Sequence, residues 1–322
     1  MGQNSPSGPA RHQDGPEHTP ATAPARRRRP GGILLGGIAA IVAVAAIIGY
    51  RSSRDAPQEV ANFDDPGLVH VHGLAVNPAD TVLYAATHTG LFRVEDGTAS
   101  RVGDRYQDTM GFTIAGPDQF LGSGHPDLRD QDLRVDGKPP HLGLIESTDR
   151  GRSWQARSLL GDADLHAITL VGDLIIGYDS TGGRILASTD GQQWHTRGEV
   201  ALLDMTVDPN DPGRIAGVTE DGTLSTSSDG GRTWTEDPAA PVDLTVVAWG
   251  PDGLWAGDAT GGLHRTLDGR SWTLARRFDG AVEAIAPETD AGPLHVAVAD
   301  VGILASSDTG RTWTTVYSAP PR

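Results

Sequence analysis

The chain has 322 residues, a formal net charge of −16 at pH 7 and no cysteine. The lack of cysteine excludes disulfide bonds and thiol catalysis. Seven of the 26 basic residues but only four of the 42 acidic residues precede position 60, so the rest of the chain is strongly acidic. This charge argues against nucleic acid as a partner. It suits a cation or a basic partner, and also a merely solvated acidic surface.

Residues 1–30 contain proline, glycine, serine and arginine with almost no apolar residues, which predicts a disordered tail. The next twenty residues, 31–50, carry no charge. As a helix they would be about 30 Å long, the thickness of the hydrocarbon core of a bilayer. This segment predicts a single transmembrane helix. The alternative is a cleaved signal peptide, but the apolar run is longer than usual and no small-residue cleavage site follows it.

The flanking charges orient this predicted span. Four arginines, 26–29, precede it, whereas only Arg51 and Arg54 follow closely. The excess of positive charge before the span places the N-terminus in the cytoplasm and the rest of the chain outside the cell membrane. Residues 51–67 then form a short tether.

From residue 68 onwards the chain is a series of short apolar runs bounded by glycine and aspartate, which are typical of β-strands. The segment 68–104 forms a first unit, with strands predicted over 69–76, 83–87 and 90–94. The second unit, 106–158, carries an extra polar stretch over 126–140.

Five later phrases resemble one another and end in tryptophan, with gaps of 40, 40, 38 and 41 residues between the tryptophans. A period in this range indicates a repeat architecture, and four strands per unit is the count of a propeller blade. The sequence predicts an all-β, six-bladed propeller over 68–318. Seven blades are the alternative, because the first unit has no tryptophan. The aspartates and closing tryptophans are Asp149 and Trp154, Asp190 and Trp194, Asp229 and Trp234, Asp268 and Trp272, and Asp308 and Trp313.

The residues of each phrase are suited to form a tight turn followed by a strand. Its aspartate accepts hydrogen bonds from backbone N–H groups a few residues on, and its glycine supplies a positive φ, so together they close a turn. The tryptophan then begins the outer strand and offers a large apolar surface for packing between units.

The pattern S-x-D-x-G-x-x-W, matched in full by the phrases ending at Trp154, Trp234 and Trp313, resembles the BNR or Asp-box repeats of sialidase-like and sortilin-like propellers. This resemblance implies that the aspartates are structural and lie on the face away from the ligand site. The phrases at 70–78, 86–92 and 122–126 also resemble a group of bacterial membrane-anchored BNR proteins that is labelled glycosylhydrolase-like.

In a propeller the inner strands line a central channel, and the loops into strand 1 and between strands 2 and 3 share one face. We align His72, Met110 and His166 in the channel row of the first three blades, followed by Leu203, Thr245 and Val282. His70 lies on the same side of its strand as His72. At the end of strand 2 come His88 and His125, with Asp179, Glu220 and Asp300 in later blades, and His141 begins a third strand. The predicted ligand-binding residues are His70, His72, His88, Met110, His125 and His166.

Among these residues, His72, His88 and His125 form the predicted metal set. Imidazole with a thioether suits copper, whereas imidazole with carboxylate suits zinc. Two alternatives remain open at this point: a pocket for a polar small molecule, and histidines that bind only water in a wet channel.

The resemblance to sialidases implies a catalytic set that this chain lacks, since it has no Arg-Ile-Pro phrase and no arginine on its inner strands. Asp204 and Glu283 are a candidate carboxylate pair for ordinary glycoside hydrolysis, although their alternation places them away from the channel. We therefore expect a membrane-anchored module that binds or assembles a protein, glycan or small molecule. The alternative is a sialidase-like glycoside hydrolase acting on surface glycans.

Overall fold

The computed structural model describes residues 65–251, 253–290 and 292–320, which form 24 β-strands in six four-stranded sheets. In every sheet the spatial order of the strands follows the chain, so each blade is an antiparallel meander built from one continuous segment. The six-bladed prediction is confirmed, and seven blades do not fit the described residues.

The predicted tail (1–30), the predicted membrane span (31–50) and nearly all of the tether lie outside the described residues. Within residues 65–320, the structure contains no helix with the length and apolar character needed to cross a bilayer.

The first three blades contain twelve strands. Blade 1 comprises β1 Val71–Val76, β2 Leu83–Thr87, β3 Gly90–Glu95 and β4 Thr98–Arg101. Blade 2 comprises β5 Asp108–Gly116, β6 Gln119–His125, β7 Leu144–Ser147 and β8 Gln155–Ser158. Blade 3 comprises β9 Leu165–Val171, β10 Leu174–Asp179, β11 Arg184–Ser188 and β12 His195–Glu199.

The last three blades repeat this plan. Blade 4 comprises β13 Leu202–Asp208, β14 Asp211–Thr219, β15 Leu224–Ser227 and β16 Thr235–Glu236. Blade 5 comprises β17 Leu244–Gly250, β18 Gly253–Asp258, β19 Gly262–Thr266 and β20 Trp272–Arg277. Blade 6 comprises β21 Val282–Ala286, β22 Leu294–Val298, β23 Gly302–Ser306 and β24 Thr314–Ser318.

The ring closes by packing between the first and last blades. The inner strands contact one another in sequence round the channel, and β21 of blade 6 meets β1 of blade 1. A buried cluster joins Val71 and Phe92 of blade 1 to Ala284 and Ile303 of blade 6. No strand is shared between these two blades, so their side chains carry most of the closure.

The tryptophans pack between blades, as the sequence predicts. Each lies against the apolar cluster between its own blade and the preceding one. The junction between blades 6 and 1, where the repeat has no tryptophan, uses Phe92 instead, with the guanidinium of Arg101 4.6 Å from the centre of its ring. The pairs of blades joined are 1 and 2 at Trp154, 2 and 3 at Trp194, 3 and 4 at Trp234, 4 and 5 at Trp272, and 5 and 6 at Trp313.

The turn before each tryptophan satisfies its own polar groups. In blade 4, the Asp229 carboxylate accepts hydrogen bonds from the backbone N–H groups of Arg232 and Thr233, both at 2.9 Å, and from the Thr233 hydroxyl at 2.7 Å. The Ser227 hydroxyl donates to the same carboxylate and accepts from the N–H of Gly231. The hydrogen bond from the Thr233 hydroxyl, together with the others, holds the pKa of Asp229 well below its usual range. The aspartate is thus fully occupied in closing the turn.

Every inner strand carries an irregularity next to its first residues, where one residue interrupts the regular pairing with the second strand. Such bulges re-aim side chains and are common beside functional sites. The predicted channel row was wrong in blade 6, because Val282 is paired with Val298 and fully buried, and the bulge residue is Glu283. The bulge residues are His72, Met110 (with Gly111), His166, Leu203, Thr245 and Glu283.

Candidate functional site

The meander of each blade decides which residues share a face. The connection between strands 3 and 4, which holds the tryptophan turn, lies at one end of the blade. The entry into strand 1 and the connection between strands 2 and 3 lie at the other end. The predicted histidines therefore gather on the face opposite the tryptophan turns.

A first group of three imidazoles comes from blade 1. His70 precedes β1, His72 is the bulge residue of β1, and His88 follows β2. Their ring centres lie 4.8 Å (His70 to His72), 5.1 Å (His70 to His88) and 4.3 Å (His72 to His88) apart. His70 has a φ of 48°, a left-handed conformation that is uncommon outside glycine, and its Nδ1 lies 2.9 Å from Oε1 of Glu283 in blade 6.

A second group lies in blades 2 and 3. Nε2 of His166 lies 2.9 Å from Oδ2 of Asp164, and Nε2 of His125 lies 3.5 Å from the same oxygen. The ring centres of His125 and His141 are 5.8 Å apart.

Asp108, which begins β5, joins the two groups. Its Oδ1 lies 2.9 Å from Nδ1 of His88 and 3.7 Å from Nε2 of His72, and its Oδ2 lies 3.5 Å from Nδ1 of His125. We refer to the resulting cluster as the histidine arc. It contains His70, His72, His88, Asp108, His125, His141, Asp164 and His166.

The spacing of atoms in the first group is that of ligands round an ion. Nε2 of His72 lies 3.0 Å from Nδ1 of His88, and both atoms face Oδ1 of Asp108. These two nitrogens and one oxygen all carry lone pairs. A single proton on one of the nitrogens cannot form hydrogen bonds of good geometry to both other atoms. Tetrahedral zinc with bonds of about 2.0–2.1 Å places its ligand atoms about 3.3 Å apart, which lies within the observed range.

The protonation states of His72, Asp108 and Asp164 suit a bound cation, whereas hydrogen bonds to Glu283 and Asp108 raise the pKa of His70 and His125, where an ion must displace a proton. Burial, helped by neighbouring His88 and His70, lowers the pKa of His72 to about 3, so this imidazole is neutral at pH 7 and keeps a lone pair for an ion. Burial acts to raise the pKa of Asp108, but hydrogen bonds from His125 and His88 outweigh it, and the pKa falls. Asp164 behaves in the same way, with His166 as its main hydrogen-bond partner. Both carboxyls are therefore ionised at neutral pH.

The histidines are concentrated on one side of the ring. Blades 1, 2 and 3 supply the histidine arc, and blade 6, which neighbours blade 1, supplies Glu283. At the bulge and strand-entry positions, blade 4 offers instead Leu203, which is 49 % exposed, and Ala201. Blade 5 carries a pair of its own, His264 and Asp258, 2.8 Å apart. The site is thus an arc of imidazoles and carboxylates over four adjacent blades.

The structure brings five of the six predicted ligand-binding residues into this arc. The exception is Met110, which lines the channel beneath the arc together with His72 and His166, in a cavity of 350 Å³. The three residues of the predicted metal set all contact Asp108. His72 and His88 contact its Oδ1, whereas His125 contacts its Oδ2.

Sequence reasoning missed Asp108 and Asp164 and left His141 out of the predicted set. The signal was present, because an aspartate stands two residues before the bulge residue in both blades 2 and 3. Asp179, predicted near the same rim, accepts a hydrogen bond of 3.1 Å from the N–H of Asp164, but it is fully buried and pairs with Arg184 at 2.6 Å.

Comparison with solved structures identifies the fold as a β-propeller. A gluconolactonase from Xanthomonas campestris matches with a TM-score of 0.56 and 12 % identity, over 72 % of this chain and 84 % of that one. A chain of a nidogen/laminin complex matches with a TM-score of 0.54 and 14 % identity, over 72 % and 91 %. A GH74 xyloglucanase from the same Xanthomonas species matches with a TM-score of 0.51 and 18 % identity, over 77 % of this chain but only 45 % of the enzyme.

At these identities the likeness shows the fold alone. This chain also spans less than half the length of the xyloglucanase. No family model and no curated protein matches the sequence.

The candidate carboxylate pair is divided between two blade junctions. The Asp204 carboxylate accepts a hydrogen bond of 2.8 Å from the N–H of Val247 on the neighbouring inner strand. Glu283 accepts one of 3.1 Å from the N–H of Val71 and also contacts His70. Each carboxylate therefore links two adjacent blades. The expectation that both face away from the channel was wrong for Asp204, which lines the channel cavity.

Burial against the channel wall raises the pKa of Asp204 to about 6. Since this lies above the unfolded value, the folded state holds the proton more tightly. The resulting contribution to stability is full below about pH 4 and is lost as the pH rises through about 6. At pH 7.5 the ionised carboxylate costs about 1–3 kcal/mol, allowing for partial exposure.

We expect Asp204→Asn to raise the free energy of unfolding by about 1–3 kcal/mol at pH 7.5 and to change it little at pH 4, because asparagine still accepts the hydrogen bond from Val247. Urea denaturation at the two pH values measures this. Asp173→Asn, at an exposed turn position, removes the same charge and serves as the control. An equal gain for both variants would show that net charge, and not the buried carboxyl, is the cause.

A larger cavity of 580 Å³ lies between blades 4 and 5 on the face of the tryptophan turns. Some of its polar side chains are already engaged: Arg214 binds Asp208 at 2.7 Å and lies over the ring of Trp249, and the indole N–H of Trp272 donates to Asp237. It gathers no group of titratable side chains like the histidine arc.

Proposed function

We propose that this protein is a membrane-anchored, non-catalytic binding module whose propeller lies outside the cytoplasm and binds a divalent transition-metal ion in the histidine arc. The observation that carries the proposal is the convergence of His72 Nε2, His88 Nδ1 and Asp108 Oδ1 within 3.7 Å of one another. Nitrogen and carboxylate donors suit zinc or copper(II), whereas calcium and magnesium prefer sites made of oxygen alone.

Membrane anchoring is supported by the uncharged segment 31–50 and the arginines that precede it. The resemblance to Asp-box proteins is supported by the hydrogen-bonded turns, which occupy the aspartates on the face away from the arc. The ion is then either the ligand of the protein itself or a link between the propeller and a protein, glycan or small molecule that completes its coordination.

We expect His72→Gln to weaken zinc binding by at least tenfold to a hundredfold, because it removes a ligand that is only 10 % exposed. Isothermal titration of the full-length protein with Zn²⁺ and with Cu²⁺ measures this. His195→Gln, on an exposed outer strand of blade 3, is the matched control and should bind as the natural protein does. Equal affinity in the His72 and His195 variants, or no binding by the natural protein, would contradict the proposal.

Glycoside hydrolysis remains the second candidate, and one observation favours it. A carboxyl with a pKa of about 6 in a channel, as at Asp204, is suited to act as a general acid. Two solved structures of similar fold are named as a xyloglucanase and a gluconolactonase. A panel of fluorogenic glycosides and aldonolactones tests this: turnover that Asp204→Asn abolishes would establish the enzyme and overturn the non-catalytic role.

A further inference from the structure

The histidine arc divides at Asp108 into two groups of ligand atoms. His70, His72 and His88 form the first group, and His125, His141 and Asp164 form the second. Within each group the donor atoms lie within 4.8 Å of one another. Each group by itself therefore offers three ligands, the number that the protein supplies in many zinc sites that keep an open position.

Asp108 contacts both groups through different oxygens. Its Oδ1 faces His88 and His72 at 2.9 and 3.7 Å, and its Oδ2 faces His125 at 3.5 Å. Oδ2 meets Nδ1 of His125, whereas Asp164 lies at Nε2, the opposite nitrogen of the same ring. Asp108 is thus placed as a ligand in the first group and as the carboxylate that holds the far nitrogen of His125 in the second.

We infer that the histidine arc holds two divalent transition-metal ions, one in each group, with the carboxylate of Asp108 as a ligand of the first ion and as the group that orients His125 towards the second. The inference rests on the proposed function, since it requires that the arc binds metal at all. It adds the number of ions, the division of the ligands and the residue that links the two groups.

The second group has an observation of its own that points to an ion. The Asp164 side chain is only 5 % exposed, and its Oδ1 has no hydrogen-bond partner among the described residues. A buried carboxylate with an unpartnered oxygen is unfavourable without a compensating charge. Its other oxygen, Oδ2, lies beside His166 and His125. A cation at Oδ2 would neutralise this buried group.

The first group has the support that metal-binding imidazoles usually show. Nδ1 of His70 contacts the Glu283 carboxylate at 2.9 Å, which leaves Nε2 of the same ring for a ligand. A carboxylate that holds the far nitrogen of an imidazole fixes the tautomer and the orientation of the ring. Glu283 is held in turn by the N–H of Val71, so its position is set by the junction of blades 6 and 1.

The two groups suit the same class of metal ion but differ in their donor atoms. The first supplies three nitrogens, to which Asp108 adds an oxygen, and the second supplies two nitrogens and one oxygen. Both sets fit zinc and copper(II), for which imidazole is a favoured ligand. Asp108 and Asp164, whose carboxyls are ionised at neutral pH, offset part of the charge of two divalent ions.

The experiment is a count of bound zinc in the full-length protein, by elemental analysis after gel filtration from excess Zn²⁺. We expect two ions per chain in the natural protein and in the His195→Gln control. His70→Asn, chosen because asparagine tolerates the left-handed backbone, should leave only the second ion, and His141→Gln only the first. Circular dichroism of each variant checks that the propeller remains folded.

The outcomes separate this inference from the proposed function. One ion per chain, lost in His72→Gln but kept in His141→Gln, overturns the pair and leaves the metal-binding function standing. No bound zinc overturns both. We expect Asp108→Asn to leave only the second ion, because it removes a ligand of the first. Two ions bound by this variant as tightly as by the natural protein overturn the role of Asp108.

Discussion

Trp154→Ala should lower the free energy of unfolding by about 3–5 kcal/mol, the range for removing a buried aromatic side chain. Trp154 is 7 % exposed and packs with Leu91, Phe120 and Ile145 between blades 1 and 2. One face of its ring also lies against Gly122, where there is no side chain to fill the space that alanine would leave. Urea denaturation followed by tryptophan fluorescence or circular dichroism measures the change.

The matched control for this prediction is Leu267→Ala, which removes a large apolar side chain that is 73 % exposed. We expect a change within about 0.5 kcal/mol for this variant, as for most surface substitutions. If Trp154→Ala cost no more than Leu267→Ala, the tryptophans would not be what joins the blades. The recurrence of tryptophan at the end of each phrase would then need another explanation.

The repeat made the fold predictable because a single residue type marks each junction between blades. Trp154 and its four equivalents set the period, and the apolar runs between them gave strands of the observed length. The first blade was also predictable, since Leu83–Thr87 and the run from Gly90 follow the same strand pattern without the tryptophan. At the junction of blades 6 and 1, Phe92 packed under Arg101 takes the place of the tryptophan. This pair has no counterpart elsewhere in the repeat, so the repeat pattern did not predict it.

The site was predictable only in part, because its geometry depends on the bulges. Alternation along a regular strand places Val282 beside the other inner-strand residues of the site, but one extra residue in the pairing puts Glu283 there, against His70 and Val71. The same irregularity in blade 2 extends from Thr109 to Phe112. A bulge depends on how two strands pair, so the residue pattern of a single strand does not predict it.

Asp108 and Asp164 were missed for a related reason. Each stands at or just before the start of an inner strand, where aspartate is common as a turn residue, and the sequence gives no sign that the two approach the same histidine. His125 contacts both only because the inner strands of blades 2 and 3 are neighbours in the ring. The histidines themselves were found, since six of the seven in the first three blades stand at positions that the repeat aligns; the seventh, His195, begins an outer strand.

Gly124→Ala should damage the fold and the site together, with a loss of about 3 kcal/mol or more in the free energy of unfolding. Gly124 has a φ of +123°, a conformation that side chains disfavour by about 1–3 kcal/mol. A Cβ there would also overlap the carbonyl oxygen of Asp108 and lie 2.8 Å from the backbone nitrogen of Met110. Relief of this overlap must move β5, and with it the carboxylate that contacts His88 and His125.

The control for this prediction is Gly116→Ala, at the far end of the same β5–β6 hairpin. Its φ is not positive, and an added Cβ would meet only the flexible end of Gln119, at 3.6 Å. We expect this variant to keep its stability within about 1 kcal/mol and to bind zinc as the natural protein does. Zinc titration and urea denaturation of both variants separate the two effects. If Gly124→Ala remained folded and bound zinc with undiminished affinity, Asp108 could not be a ligand, because the strand that carries it would have moved without consequence.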